Sequence, residues 1–319
     1  MKLKVVTFNI DGLPSILDLN ELPWVFKPFV WIYKLIKKTT LIYINDNTNR
    51  DQDILNISKY LKNTKADIIG VQEDFNYHDE LMSELNDKYI SDTPSKKFGL
   101  SNIFRDVEIW SHFPLPRFKS DGVNMLKKNQ TIVTVDKSEI VPWKDSYGYV
   151  SHANDVLTTK GFRYYVINVK DKYPINVYVL HMDADFYNPE KCPDVSKDIE
   201  TRASQMDQLV EFIKKIYNIN WYPSIILGDT NCSPKFEWDV ENVNNHLINP
   251  INNIEGLNIF EVTPDSEFVD VDRIFVINTN DATFNITKES ADYDINVNLS
   301  DHKPFIANLI INPLKNKKI

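Results

Sequence analysis

The chain has 319 residues, 42% of them hydrophobic and 25% charged, with a formal net charge of −9. That balance is typical of a globular protein with enough chain for a sizeable core, and no apolar run reaches the roughly eighteen residues of a membrane-spanning helix. The acidity argues against a dedicated nucleic-acid binder that grips phosphates through a basic surface, and it agrees with an acidic, metal-binding cleft.

In chain order, LKVVTFN (3–9) is the first strand expected. It ends at Asn9 and Asp11 and turns at Gly12. Segment 22–44 then reads LPWVFKPFVWIYKLIKKTTLIYI. Phe29, Ile32, Tyr33 and Ile36 share one helical face and Lys27, Lys34 and Lys38 the other. Such an amphipathic insertion either packs on the body of the protein or lies on a membrane surface. Ile54, Ile57, Ser58 and Leu61 have helical spacing, and DIIGVQE (67–73) is a strand ending at Gln72 and Glu73. A short helix is expected over 78–87 and a strand at TIVTV (131–135). YYVINV (164–169) and INVYVLH (175–181) read as a hairpin delivering His181, with Asp183 and Asp185 just after it. Met206, Leu209, Val210 and Ile213 mark a helix within 197–216. SIILGD (224–229) runs on into Thr230 and Asn231, and 236–247 is a further helical candidate. DRIFVI (272–277) opens with Asp272, and Ser300, Asp301 and His302 precede PFIANLII (304–311).

Strands with interspersed helices predict an α/β (α+β) sandwich in a single domain, 1–312, followed by a basic tail, 313–319. Cys192 and Cys232 form no framework of spaced pairs, so two reduced thiols or one bridge are both open. No charged region followed by an apolar stretch and a cleavage site opens the sequence. A cytoplasmic location is therefore expected, peripheral at membranes if 22–44 meets lipid.

Singly, each polar strand end has a structural explanation. Glu73 suits a solvated strand end, His181 a satisfied buried imidazole, and Asp229 and Asp301 suit caps or turns. Collectively they are the parts of a metal-assisted phosphoryl hydrolase. A hard divalent cation takes carboxylate and amide oxygens and keeps several waters. Glu73, with Asn9, Asp11 or Asp301, offers those oxygens. A histidine suits the removal of a proton from water, and Asp272 is available to orient His302. Asn231 and a second histidine can stabilise the charge gathering on phosphorus.

The ordered blocks TFNIDG, VQE, LHMDAD, GDTN, DRI and SDH resemble the endonuclease/exonuclease/phosphatase superfamily, which has the DNase I-like fold. The resemblance covers Val5 to about Ile311. WSHFPL (110–115), Lys160-Gly161-Phe162 and RASQ (202–205) are also similar to family elements. The histidine ending the LHMDAD strand, Glu73-Asp74-Phe75 and SDHKPF (300–305) look closest to the neutral sphingomyelinase-like branch.

This resemblance implies a two-sheet sandwich flanked by helices, with the site at one end. It implies Mg²⁺ or Mn²⁺ at a metal cluster of Glu73, Asn9, Asp11 and Asp301. Asp229 and Asn231 would hold the attacking water and the phosphate, His302 with Asp272 would act as base, and His181 would contact the phosphate or assist the leaving group. The expected activity is phosphodiester hydrolysis by a monomer on a phospholipid head group such as sphingomyelin. The alternatives of the same fold are a nuclease, which the net charge disfavours, and an inositol-phosphate or nucleotide phosphatase. Asp183 and Asp185 depart from the pattern: near the site they would repel phosphate or support a second cation.

Overall fold

The computed structural model describes residues 1–12, 50–75, 77–91, 107–108, 117–118, 122–129, 132–147, 160–185 and 195–314. The amphipathic segment 22–44, the WSHFPL element, Cys192 and residues 315–319 of the tail lie outside these.

The strands are β1 (Lys2–Asn9), β2 (Ile68–Gln72), β3 (Tyr89–Ser91), β4 (Val107–Glu108), β5 (Arg117–Phe118), β6 (Asn124–Lys128), β7 (Val133–Pro142), β8 (Gly161–Val169), β9 (Tyr173–His181), β10 (Ser224–Asp229), β11 (Leu257–Glu261), β12 (Asp272–Thr279), β13 (Phe284–Tyr293) and β14 (Phe305–Pro313). The helices are α1 (Arg50–Thr64), α2 (His78–Ser83), α3 (Ser196–Tyr217), α4 (Glu237–Val243) and α5 (Asn249–Asn252). One six-stranded sheet has the order β13-β14-β1-β2-β6-β3 and the other β11-β12-β10-β9-β8-β7, while β4 and β5 pair alone. The expected α/β sandwich is the one observed.

Period two along the strands divides the core into layers. Val5, Val177, Val179, Ile225, Leu227, Ile274 and Leu309 are buried between the sheets. The opposite faces of β1 and β2 bury Val6, Phe8, Ile69 and Val71 against Ile54, Ile57 and Leu61 of α1. Tyr178, Leu180 and Ile226 bury against Met206, Leu209 and Ile213 of α3. Central strands covered on both faces therefore read as continuous apolar runs, which is why β1, β2, β9 and β10 were legible. The sheets approach closely at Gly70. A Cβ there would sit 2.7 Å from Leu227 Cδ1 and 3.1 Å from Val179 Cγ1.

Several elements differ from expectation. The strand expected at 131–135 continues to Pro142, with one edge in solvent and hence few apolar residues to mark it. β6, β11 and β13 carried too little apolar pattern to be seen. β13 is an edge strand with a bulge between Lys288 and Ser290, and only alternate positions such as Phe284, Ile286 and Tyr293 are buried. The candidate helix 236–247 passes from α4 into one π turn, Asn244–Ile248, before α5, which has Pro250 in its first turn. Ser58 belongs to the buried face of α1 because its hydroxyl lies 2.8 Å from the carbonyls of both Ile54 and Leu81. The hairpin turns at Lys170 and Asp171, whose φ values of 55° and 51° match the right-handed twist of its strands. No helix among the described residues is long and apolar enough to cross a membrane.

Candidate active site

Strand register brings the polar ends together. β1 and β2 run parallel with Asn9 opposite Gln72, and β9 and β10 run parallel with His181 opposite Asp229. β12 enters antiparallel so that Asp272 also lies opposite Asp229. β14 starts opposite Thr7, so the turn carrying Ser300, Asp301 and His302 sits at this same end. A one-residue slip in any of these pairings would turn its side chain to the other face.

Asn9 is the hub. Its Nδ2 donates to Glu73 Oε1 and to Asp229 Oδ2, each at 3.0 Å, and its Oδ1 accepts the Asp11 N–H at 3.0 Å. The backbone N–H needs an acceptor, so the amide orientation is set by its partners. Asn9 therefore turns its nitrogen to the carboxylates and acts as a clamp between them. Its oxygen, the atom a metal would use, accepts the Asp11 N–H with one of its two lone pairs. Glu73 and Asp11 both adopt left-handed backbone, with φ of 59° and 47°. Gly12 makes room for Glu73, since a Cβ at residue 12 would fall 2.3 Å from the Glu73 carbonyl oxygen.

The two histidines flank Asp229. His181 Nε2 lies 3.5 Å from Asp229 Oδ2 and 3.9 Å from Glu73 Oε1, and His302 Nε2 lies 3.8 Å from Asp229 Oδ2. On its other side His302 Nδ1 meets Asp272 Oδ2 at 2.6 Å. Asp229 Oδ1 accepts the Asn231 N–H at 2.8 Å, and Asn231 Nδ2 donates to Met182 O at 2.8 Å. Ser300 Oγ donates to Asn9 O at 2.8 Å and accepts the His302 N–H at 3.2 Å, tying the His302 turn to β1.

Electrostatics set the charge states. Burial raises the Glu73 pKa, against the pull of the Lys160 ammonium, the Asn9 bond and His302. His181 is held well below the usual imidazole value, first by burial and then by the positive charges of Lys160 and His302. Burial also works against a charge on His302, but the carboxylates of Asp272, Asp229 and Asp301 outweigh it and hold His302 well above its ordinary value. Burial pushes Asp272 up to about 6, opposed by His302. Proton binding at His302 and at Asp272 is mutually dependent, because the two groups share the 2.6 Å contact.

Asp301 is exposed, with Oδ1 3.1 Å from the Ser300 hydroxyl oxygen. Asp183 and Asp185 are directed elsewhere. Asp183 Oδ2 accepts from Ser146 Oγ and Tyr147 N at 2.8 Å each, and Asp185 pairs with Arg202 at 3.3 Å. Among the described residues, neither belongs to a cluster of three His, Cys, Asp or Glu side chains that could hold a metal ion. Three contributors have no role assigned by the sequence, although Lys160 and Asp74 fall within elements that resemble the family's. Lys160 bears charge on the site and donates to Met182 O at 3.2 Å. Trp143 Nε1 anchors the His181 carbonyl at 2.7 Å. Behind Glu73, buried Asp74 accepts from His78 Nδ1 and Asn124 Nδ2 at 2.5 Å each. A KG pair and an EDF triplet were the nearest clues.

The donor set fits a hydrated hard cation. Among the described residues, no three His, Cys, Asp or Glu side chains close on one point, as a zinc cage would demand. Mg²⁺ commonly takes one or two carboxylates and fills its shell with water and substrate oxygens. Glu73 is a largely buried carboxylate that accepts from the Asn9 amide, and Asp301 lies close enough to influence its charge.

No protein-family model and no curated protein matches the sequence. Solved structures do resemble it. A beta toxin mutant from Staphylococcus aureus with bound magnesium ions is 19% identical with a TM-score of 0.58, covering 96% of this chain and 99% of that one. Sphingomyelinase C from Streptomyces griseocarneus is 17% identical with a TM-score of 0.58, covering 97% and 99%. D. rerio TDP2 complexed with single strand DNA product is 14% identical with a TM-score of 0.54, covering 97% and 99%. With its paired six-stranded sheets and this near-complete overlap, the protein has the DNase I-like fold.

Proposed function

We propose that the protein is a Mg²⁺-dependent phosphodiesterase, a single catalytic unit over residues 1–312 that hydrolyses a phospholipid head group of the sphingomyelin type. The observation that carries this reading is the convergence of Asn9, Glu73, His181, Asp229 and the His302–Asp272 pair from strands far apart in sequence. A structural role for each residue alone gives no reason for them to share one sandwich end.

In this reading Glu73, with Asn9, Asp11 and Asp301, would hold the cation, which when bound would supply positive charge to the phosphoryl oxygens. Asp272 fixes His302 with Nε2 facing Asp229 and stabilises the imidazolium formed when that nitrogen takes a proton from water. The raised pKa of His302 is what a proton acceptor gains from such a partner. His181 is neutral, so its Nε2–H is a donor for the phosphate or the departing oxygen without carrying full charge. Asp229 and Asn231 orient the water and the diester. Asn9 keeps Glu73 and Asp229 side by side and spaces their charges.

Lipid is favoured over nucleic acid by the net charge of −9 and by the likeness to sphingomyelinase C. The nuclease reading draws on the likeness to TDP2 with its single strand DNA product. The deciding experiment assays the purified protein, with Mg²⁺ or EDTA, on sphingomyelin vesicles and plasmid DNA in parallel. Metal-dependent phosphocholine release without nicking is expected. Nicking without lipid turnover would replace the lipid reading by the nuclease one. Activity on neither would move the search to inositol phosphates and nucleotides.

A further inference from the structure

One face of α3 bonds the loops that follow both histidine-side strands. Arg202 is completely buried, and its Nη2 donates to Asp239 Oδ1 at 2.8 Å and to Asp185 Oδ2 at 3.3 Å. The other Asp239 oxygen accepts the Ser233 N–H at 2.9 Å. One turn along α3, Gln205 Oε1 accepts the Asp183 N–H at 3.0 Å and Gln205 Nε2 donates to Asp145 O at 3.0 Å. Asp185 lies on the loop after His181, and Ser233 on the loop after Asp229 and Asn231. The two loops meet directly where Met182 N donates to Asp229 O at 3.0 Å and Asn231 Nδ2 donates to Met182 O at 2.8 Å. The Asn231 amide is thus aimed by a carbonyl whose own loop is held from behind by α3.

We propose that Arg202 is a positioning residue for hydrolysis: from one guanidinium nitrogen it holds Asp185 and Asp239, and so fixes Asn231 against the His181 strand end. This rests on the phosphodiesterase reading. Arginine suits the task because it stays charged when buried and can bond two carboxylates at once. Substituting it alone would strand buried Asp239, so Arg202→Met is a poor test of positioning. The double variant Arg202→Met/Asp239→Leu removes both charges, and exchange of a buried ion pair for apolar side chains commonly preserves the fold.

The double variant should melt near the wild type, while kcat on a soluble chromogenic diester with Mg²⁺ falls about 10- to 100-fold, the cost of misplacing a catalytic group by an ångström or less. KM should move by less than about threefold, because the substrate contacts remain. Amide exchange should quicken in 182–185 and 229–239 and stay unchanged in β8. Adding Asn231→Ala should cost at most about threefold beyond Asn231→Ala alone, since coupled residues are non-additive. Losses that multiply independently, or exchange that stays slow in both loops, would overturn the proposal. Should the double variant fail to fold, Asp185→Asn at the half-buried end leaves the Arg202–Asp239 pair whole and weakens one charge-assisted bond. It should quicken exchange in 182–185 and lower kcat, and unchanged values for both would be equally fatal. A wild type inactive on every diester would sink the parent reading and this one together. An active wild type with a fully active double variant would sink this one alone.

Discussion

Asp272→Asn should lower catalysis while leaving stability nearly unchanged. Asp272 is fully buried and engages His302 Nδ1 through Oδ2 alone, at 2.6 Å, while its backbone carbonyl accepts from Tyr293 OH. Asparagine keeps the shape and the backbone bond. If its oxygen faces Nδ1, the bond survives without the charge that stabilises an imidazolium. If its nitrogen faces Nδ1, the imidazole proton moves to Nε2 and the acceptor needed opposite Asp229 is lost. The general-base contribution at stake is about 10²–10⁴-fold, or roughly 2.7–5.4 kcal/mol at about 1.36 kcal/mol per decade. Stability should hardly change, because burial already pushes the Asp272 carboxyl up to about 6 and a neutral amide removes that desolvation cost. The assay is kcat on a soluble chromogenic diester at saturating Mg²⁺, alongside thermal melting. A kcat within about fivefold of wild type would remove the His302–Asp272 pair from the mechanism. A large fall in melting temperature would show that the pair serves the fold.

Glu73→Gln keeps an acceptor for Asn9 but loses the charge, so the Mg²⁺ concentration for half-maximal activity should rise about tenfold or more. An unchanged metal titration would mean that the cation sits elsewhere. Gly70→Val places branched carbon where even a Cβ lies 2.7 Å from Leu227 Cδ1, and overpacking between the sheets should cost about 1–3 kcal/mol. An unshifted urea midpoint would show that the sheets can separate freely there. His78 is buried, and although burial opposes its charge, the Asp74 carboxylate raises its pKa. A raised folded-state value means stability that is complete below the unfolded pKa of about 6.5 and is lost as pH rises through the folded one. His78→Gln should therefore melt below wild type at pH 5.5 by a margin that shrinks towards pH 9. A margin constant with pH would show that His78 is neutral in the folded protein.

The sequence by itself determined the order of the central strands and the chemistry at their ends. β1, β2, β9, β10 and β12 are apolar because both faces are largely covered, β14 buries alternate residues, and each abuts a polar residue at the strand end or the adjoining turn that has no place in a core. Edge strands escaped notice because half of each side-chain set faces water, as in β13 with its bulge. Only the tertiary structure decided which way the polar groups point. Asn9 reads as metal-proximal in sequence, and the fold adds that its nitrogen bridges two carboxylates while its oxygen accepts the Asp11 N–H. Asp183 and Asp185 read as site residues by position, but Ser146, Tyr147 and Arg202 draw them to the loops behind. Charge states were equally invisible, since His181 and His302 are the same residue type. Burial lowers the proton affinity of one, while three nearby carboxylates raise that of the other. Hydrogen-bond direction and local potential depend on neighbours hundreds of residues away, and register between strands is what supplies those neighbours.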